Sequence, residues 1–158
     1  MGKRIVEYGG IIAVVALVVG VVTPAVGSSS RHRTFSVTAV FTEFDPNIDV
    51  GAPGFSLGDE VVFSGDLYRQ DEKVGRVGLV CTFVSTQNPN RVEAQCPGTA
   101  ILPEGQIAVS GVIVNESLDF TLPITGGSGQ FDDADGQMVS HDVSTPTQPK
   151  VELTFELG

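Results

Sequence analysis

Leu122 to Gln137 reads LPITGGSGQFDDADGQ: three glycines within four residues, an aromatic at Phe131, then an acidic run broken by Gly136. A glycine cluster beside acids suits three physical roles: cradling a phosphate, ligating calcium, or bending a backbone where a side chain does not fit. A phosphate cradle opens a helix and is followed by lysine. Here the flanks SLDFTLPIT and GQMVSHDVS are both strand-like, and no lysine follows. A calcium loop needs regularly spaced oxygen ligands closing on a glutamate, a frame that DDADGQ lacks. The third role remains. Gly126, Gly127, Gly129 and Gly136 permit positive φ and close backbone approach where consecutive strands reverse, with Phe131 packing where the chain turns back.

The strands on either side belong to a longer series. From Thr34 onward apolar residues recur with period two, and no helical stripe of any length appears. Eight segments show one apolar face each: Phe35, Val37, Ala39 and Phe41; the run DEVVFSGDLY; Val77, Leu79, Cys81 and Phe83; Val92, Ala94, Cys96 and Ala100; Ile107, Val109 and Ile113; Leu118, Phe120, Leu122 and Ile124; Val139 and Val143; Val151, Leu153 and Phe155. Turn-forming clusters such as GAPG, QNPN, LPEG and STPTQP separate them. Short connections imply an antiparallel meander, and closing it into a barrel removes the edges that would otherwise pair with other chains. A closed eight-stranded barrel can hold one small ligand.

Cys81 and Cys96 are the two cysteines of the chain, on either side of the turn signal QNPN. A hairpin turning at Pro89 sets them on paired strands, which outside the cytosol allows a disulfide. The N-terminus points to that compartment. Lys3 and Arg4 precede the apolar run IIAVVALVVGVV and the small residues TPAVG, the pattern of a secretory signal cleaved after Gly27. The stretch Gly9 to Gly27 is also about as long as the roughly 17 to 25 residues of a membrane-spanning helix, so a retained anchor is the alternative. Either way residues 28–33 form a linker, and residues 34–158 form one outward-facing domain with a core of its own. Loss of residues 1–27 turns 9 basic and 19 acidic residues into 7 and 18, a formal charge of −11. Such a domain repels nucleic acid, and its contact with membrane runs through the N-terminal segment alone, where that is uncleaved.

LPITGGSGQFDDADGQMVSHDVSTPTQPKVELTFELG resembles the C-terminal part of the plant allene oxide cyclases, in which a Gly-Gly-Ser-Gly-x-Phe turn precedes a glycine and two closing strands; the pattern is also similar to that of dirigent proteins. LGDEVVFSGDLY and KVGRVGLVCTFVS extend the likeness upstream, while NIDVGAPGFS has no clear counterpart. The resemblance implies a single eight-stranded antiparallel β-barrel with a hydrophobic cavity, assembled as a dimer or trimer. It also implies a cofactor-free activity that folds an unstable intermediate so that it isomerises or cyclises to one stereoisomer.

Carried over by position, the cyclase glutamate falls on Glu43 and the cyclase cysteine on Cys81. The cyclase asparagine is replaced by Asp45. Glu43 shares parity with Ala39 and Phe41, so a regular strand turns it toward the apolar side, where desolvation would raise its pKa and suit it to acid–base work; the alternative is a strand-end carboxylate at the rim. Asp45 cannot donate as an amide does, and two carboxylates at this spacing compete unless one holds a proton. Cys81 is either a cavity thiol or half of the disulfide. His141, in parity with Val139 and Val143, is a possible cavity residue and more simply a packed or rim one. No set of His, Cys and Glu has the spacing of a zinc site, and there is no Gly-x-Ser-x-Gly elbow. The region after Phe131 offers acids without the arginine of the dirigent pocket. The leading expectation is therefore an exported cyclase-like barrel for a small hydrophobic substrate. A non-catalytic binding barrel, a dirigent-like control of coupling and a purely assembling surface barrel are the alternatives.

Overall fold

A computed structural model describes residues 32–50, 53–88, 90–115 and 117–158 of the chain. The leader or anchor over residues 1–27, most of the linker and the turn centre Pro89 lie outside the described residues. Eight strands follow one another: β1 (Arg33–Ile48), β2 (Glu60–Arg69), β3 (Glu72–Ser85), β4 (Glu93–Leu102), β5 (Gly105–Val114), β6 (Phe120–Gly127), β7 (Gly136–Asp142) and β8 (Lys150–Leu157). Each pairs antiparallel with the next, and β1 pairs with β8 to close the barrel. The closing register sets Phe35 opposite Phe155, Val37 opposite Leu153 and Ala39 opposite Val151. Three apolar cross-strand pairs therefore seal the seam from within, the type of contact that stabilises a sheet.

Because the strands alternate in direction, the connections fall into two groups. Those after β2, β4 and β6 lie at one end, those after β1, β3, β5 and β7 at the other. The stretch Gly126 to Gly136 belongs to the first end and plugs it. Gly126, Gly129 and Gly136 take φ of 144°, 67° and 110°, a region costly for any side chain. A Cβ on Gly127 would stand 2.6 Å from the Gln106 carbonyl oxygen and closer still to that of Phe131. This tight path makes a single 3₁₀ turn, Gly129–Phe131, and drives Phe131 into the barrel, where it is 1% exposed. Its ring lies 6.0 Å from that of Phe35, which stacks 5.1 Å from Phe155. The Arg33 guanidinium covers the Phe35 and Phe131 rings at 5.3 and 5.4 Å. Arg69, bonded to Glu104 at 3.1 Å, approaches Phe35 from the same end. The Glu104 carboxyl is held below its ordinary pKa by a hydrogen bond from its own backbone amide and by Arg69, against the opposing effect of burial.

Two strands depart from simple alternation. In β1 the pairing with β2 runs Phe41↔Gly65 and then Glu43↔Ser64, so Thr42 is an extra residue, a β-bulge that reverses parity. Phe41 faces inward before it and Phe44, opposite Phe63, faces inward after it. In β7 the inward pair is Met138 and Ser140, opposite Phe155 and Leu153, and both are buried. The expected apolar face of Val139 and Val143 is thereby corrected: β8 has the stronger alternation, and its register decides which face of the polar β7 turns in.

Candidate functional site

A cavity of about 340 Å³ occupies the half of the barrel opposite the plug. Six of the nine phenylalanines contribute to its lining: Phe41, Phe44, Phe63, Phe83, Phe120 and Phe155. Aliphatic side chains such as Val61, Leu79, Ile113 and Leu153 fill the gaps between them. The size suits one small molecule. Among the described residues the lining includes no Lys, Arg, His, Asp or Glu. Of its hydroxyls, Ser140 donates to the Leu118 carbonyl at 2.8 Å, and Ser117 accepts the Asp119 amide at 3.1 Å. A molecule held here meets shape and aromatic surface, with few polar partners.

Cys81 and Cys96 form a disulfide, and both line the cavity wall. The β3–β4 register explains it: Leu79 faces Gly98 and Thr82 faces Gln95, which puts the two cysteines directly opposite each other on the inward face. Cys81 is therefore a structural wall residue with no thiol to offer. The same seam carries Pro97, which has no N–H for the ladder, so the covalent bridge stands beside a position where the sheet lacks a donor.

The mouth is shaped by the connection between β1 and β2. Asp59, fully buried, accepts the amides of Val50 (2.9 Å) and Ser56 (2.6 Å) and the Ser56 hydroxyl (3.3 Å). These amide bonds hold its carboxyl below the usual aspartate value. Gly58 and Asp59 are pinned to Phe83 by backbone bonds of 3.0 and 2.9 Å. Phe55 is thereby set edge-on to Phe83 at 4.6 Å. Phe44 closes the other side, its ring 4.9 Å from that of Phe63. Phe44, Phe55 and Leu57 remain more than half exposed, so the rim is apolar and open.

The sequence candidates do not converge on the cavity. Phe41 and the disulfide line it. Glu43 is exposed on the outer face, accepting the Ser64 hydroxyl at 2.9 Å, because the Thr42 bulge turns it away from the direction its parity implied. Asp45, opposite Val62, is exposed as well. His141 is exposed beside Met138 and Ser140, its Nδ1 2.7 Å from Asp119 Oδ1. Sequence reasoning missed Phe44 and Asp59. Nothing in FTEFD signals a bulge, and a buried aspartate that binds its own loop looks like any loop acid until the chain has folded around it.

Among curated proteins none matches the chain. Solved structures do. A pyocyanin demethylase is 29% identical, with a TM-score of 0.67, covering 77% of this chain and 98% of that one. An exo-specific intermolecular Diels-Alderase is 16% identical, with a TM-score of 0.60, over 80% and 98%. A pterocarpan synthase dirigent protein is 17% identical, with a TM-score of 0.57, over 82% and 95%. At such identities the last two share the fold alone. The plugged end, the closed meander and the apolar half-barrel agree with the remaining comparison: residues 38–154 match the family model of the allene oxide cyclase barrel like domain, and the chain belongs to that family.

Proposed function

We propose that the barrel binds a small hydrophobic molecule in this cavity and steers its isomerisation or cyclisation by confinement, without a cofactor. The observation that carries the reading is the lining itself: an apolar chamber of aromatic and aliphatic side chains, open at its rim, in which, among the described residues, no acid or base stands. Holding reacting atoms in one geometry can lower a barrier by about 7 to 11 kcal/mol, so such a chamber can act without acid–base machinery. The likeness to an enzyme, pyocyanin demethylase, supports catalysis over passive carriage. Glu43 and Asp45, exposed and outside the lining, take no part in the reaction on this reading.

Mass spectrometry of small molecules that co-purify with the barrel, before and after incubation, tests this. A molecule released chemically changed supports catalysis, and one released unchanged transfers the case to a binding barrel. On a converted substrate, Glu43→Gln should alter turnover by less than about tenfold. A fall of 10²-fold or more, the size of acid–base assistance, would restore Glu43 to the chemistry.

Export is proposed on the strength of Lys3, Arg4 and the apolar run that follows. N-terminal sequencing of the secreted protein should begin at or near Ser28. An intact Met1 in the membrane fraction would establish the anchor, and an intact soluble cytosolic chain would exclude both.

A further inference from the structure

The walls of the cavity and the connecting segments around its apolar rim differ in electrical character. Six phenylalanine rings line it, and each ring face carries negative quadrupole that attracts cations. At the mouth end Asp49, Asp59, Glu60, Glu93, Asp119 and Asp142 lie in or beside the connecting segments. The described basic side chains at that end are Arg91, committed to Glu93 at 2.7 Å, His141, whose Nδ1 lies 2.7 Å from Asp119, and Lys150. Arg33, Arg69, Lys73 and Arg76 belong to the plugged end, and Arg69 and Lys73 are paired there with Glu104 and Asp66. The chain as a whole carries a formal −10. A carboxylate entering this mouth meets like charge and then a lining with no cationic side chain among the described residues. A cation meets attraction at both stages.

We propose that the natural ligand is a flat aromatic molecule bearing delocalised positive charge, and that the barrel discriminates against carboxylates, fatty acids included. This rests on the cavity being the ligand site, and it adds the charge and the shape of the ligand. Delocalisation matters because a compact, strongly hydrated cation would lose its water in an apolar chamber without recovering hydrogen bonds, whereas a charge spread over fused rings is weakly hydrated and stacks on phenylalanine. The acidic mouth adds long-range steering, a contribution to the association rate that salt screens.

Three probes of one ring system separate charge from shape: 10-methylacridinium, neutral acridine at pH 8, and acridine-9-carboxylate, with oleate as the fatty carboxylate. Titration calorimetry on the folded, disulfide-bonded barrel should give the cation an affinity about tenfold above acridine. The two carboxylates should bind more weakly than acridine. Phe63→Leu and Phe120→Leu, which keep apolar bulk but remove a ring, should reduce the ratio of cation to neutral affinity. Asp49→Asn combined with Glu60→Gln should slow association of the cation and leave that of acridine unchanged. Equal affinity for cation and acridine, or preference for either carboxylate, overturns the proposal while leaving a ligand-binding cavity. Failure of all four probes to bind overturns the cavity as a ligand site, and this inference with it.

Discussion

Asp59 shows how one side chain can set the form of a cavity it does not line. Its buried carboxylate satisfies two backbone amides of the segment that carries Phe55 and Leu57 and so ties that segment to the start of β2. Since its folded pKa lies below the unfolded value of about 3.9, the linked stability is fully present above pH 4 and is lost as pH falls through the lower folded value. Thermal unfolding followed from pH 7 to pH 2 should show the melting temperature falling in the acid range, more steeply in wild type than in Asp59→Asn. The variant should melt several degrees lower at pH 7. Equal slopes would show that other carboxylates govern the acid limb. Thr42 acts at the same scale: one extra residue decides that Phe44, and not Glu43, joins the cavity.

At the level of elements the β3–β4 hairpin is a covalently tied wall of the chamber, with the disulfide facing the ligand space and Pro97 beside it unable to donate to the ladder. Closing a loop with a sequence separation of 15 contributes about 3 kcal/mol in the chain-entropy model. Cys81→Ala combined with Cys96→Ala should therefore lose about that much in urea unfolding at unchanged m-value. A loss below about 1 kcal/mol would mean that the closed barrel alone holds this hairpin. Because the two sulfurs also line the cavity, the same variant should change ligand affinity, an effect absent from a disulfide on the outer wall.

Over the whole molecule the barrel is polarised along its axis, with an aromatic plug under Arg33 and Arg69 at one end and an apolar rim at the other. Its outer wall is uneven too. Val80 on β3 and Val112 on β5, with Pro97 of β4 between them, expose apolar side chains on an otherwise acidic protein, and exposed apolar patches commonly mark contact surfaces. Self-association through this wall is the expected outcome, a closed dimer or trimer by light scattering coupled to size exclusion. Val112→Asp should shift it to monomer with little change in melting temperature. A wild type that is monomeric at tens of micromolar would reject assembly, leaving the patch to another partner.

The amino-acid sequence by itself determined the number of strands and the direction of most side chains, and set the two cysteines across one hairpin where a disulfide is allowed, because period-two alternation and turn residues act locally. Phe35, Val37, Ala39, Val151, Leu153 and Phe155 lie inside as their spacing implies. The glycine stretch around Phe131 was legible for the same reason, since positive φ is a property of single residues. Three things were decided only by tertiary structure. The bulge at Thr42 depends on how β1 must bend to pair with both β2 and β8; the inward face of β7 depends on its neighbour's register, since a strand of mixed polarity has no strong preference of its own. The burial of Asp59 depends on a loop folding around its own acid. Those are the features that empty the cavity of charge and shape its mouth, because each balances contributions from strands far apart in the chain, which no local pattern records.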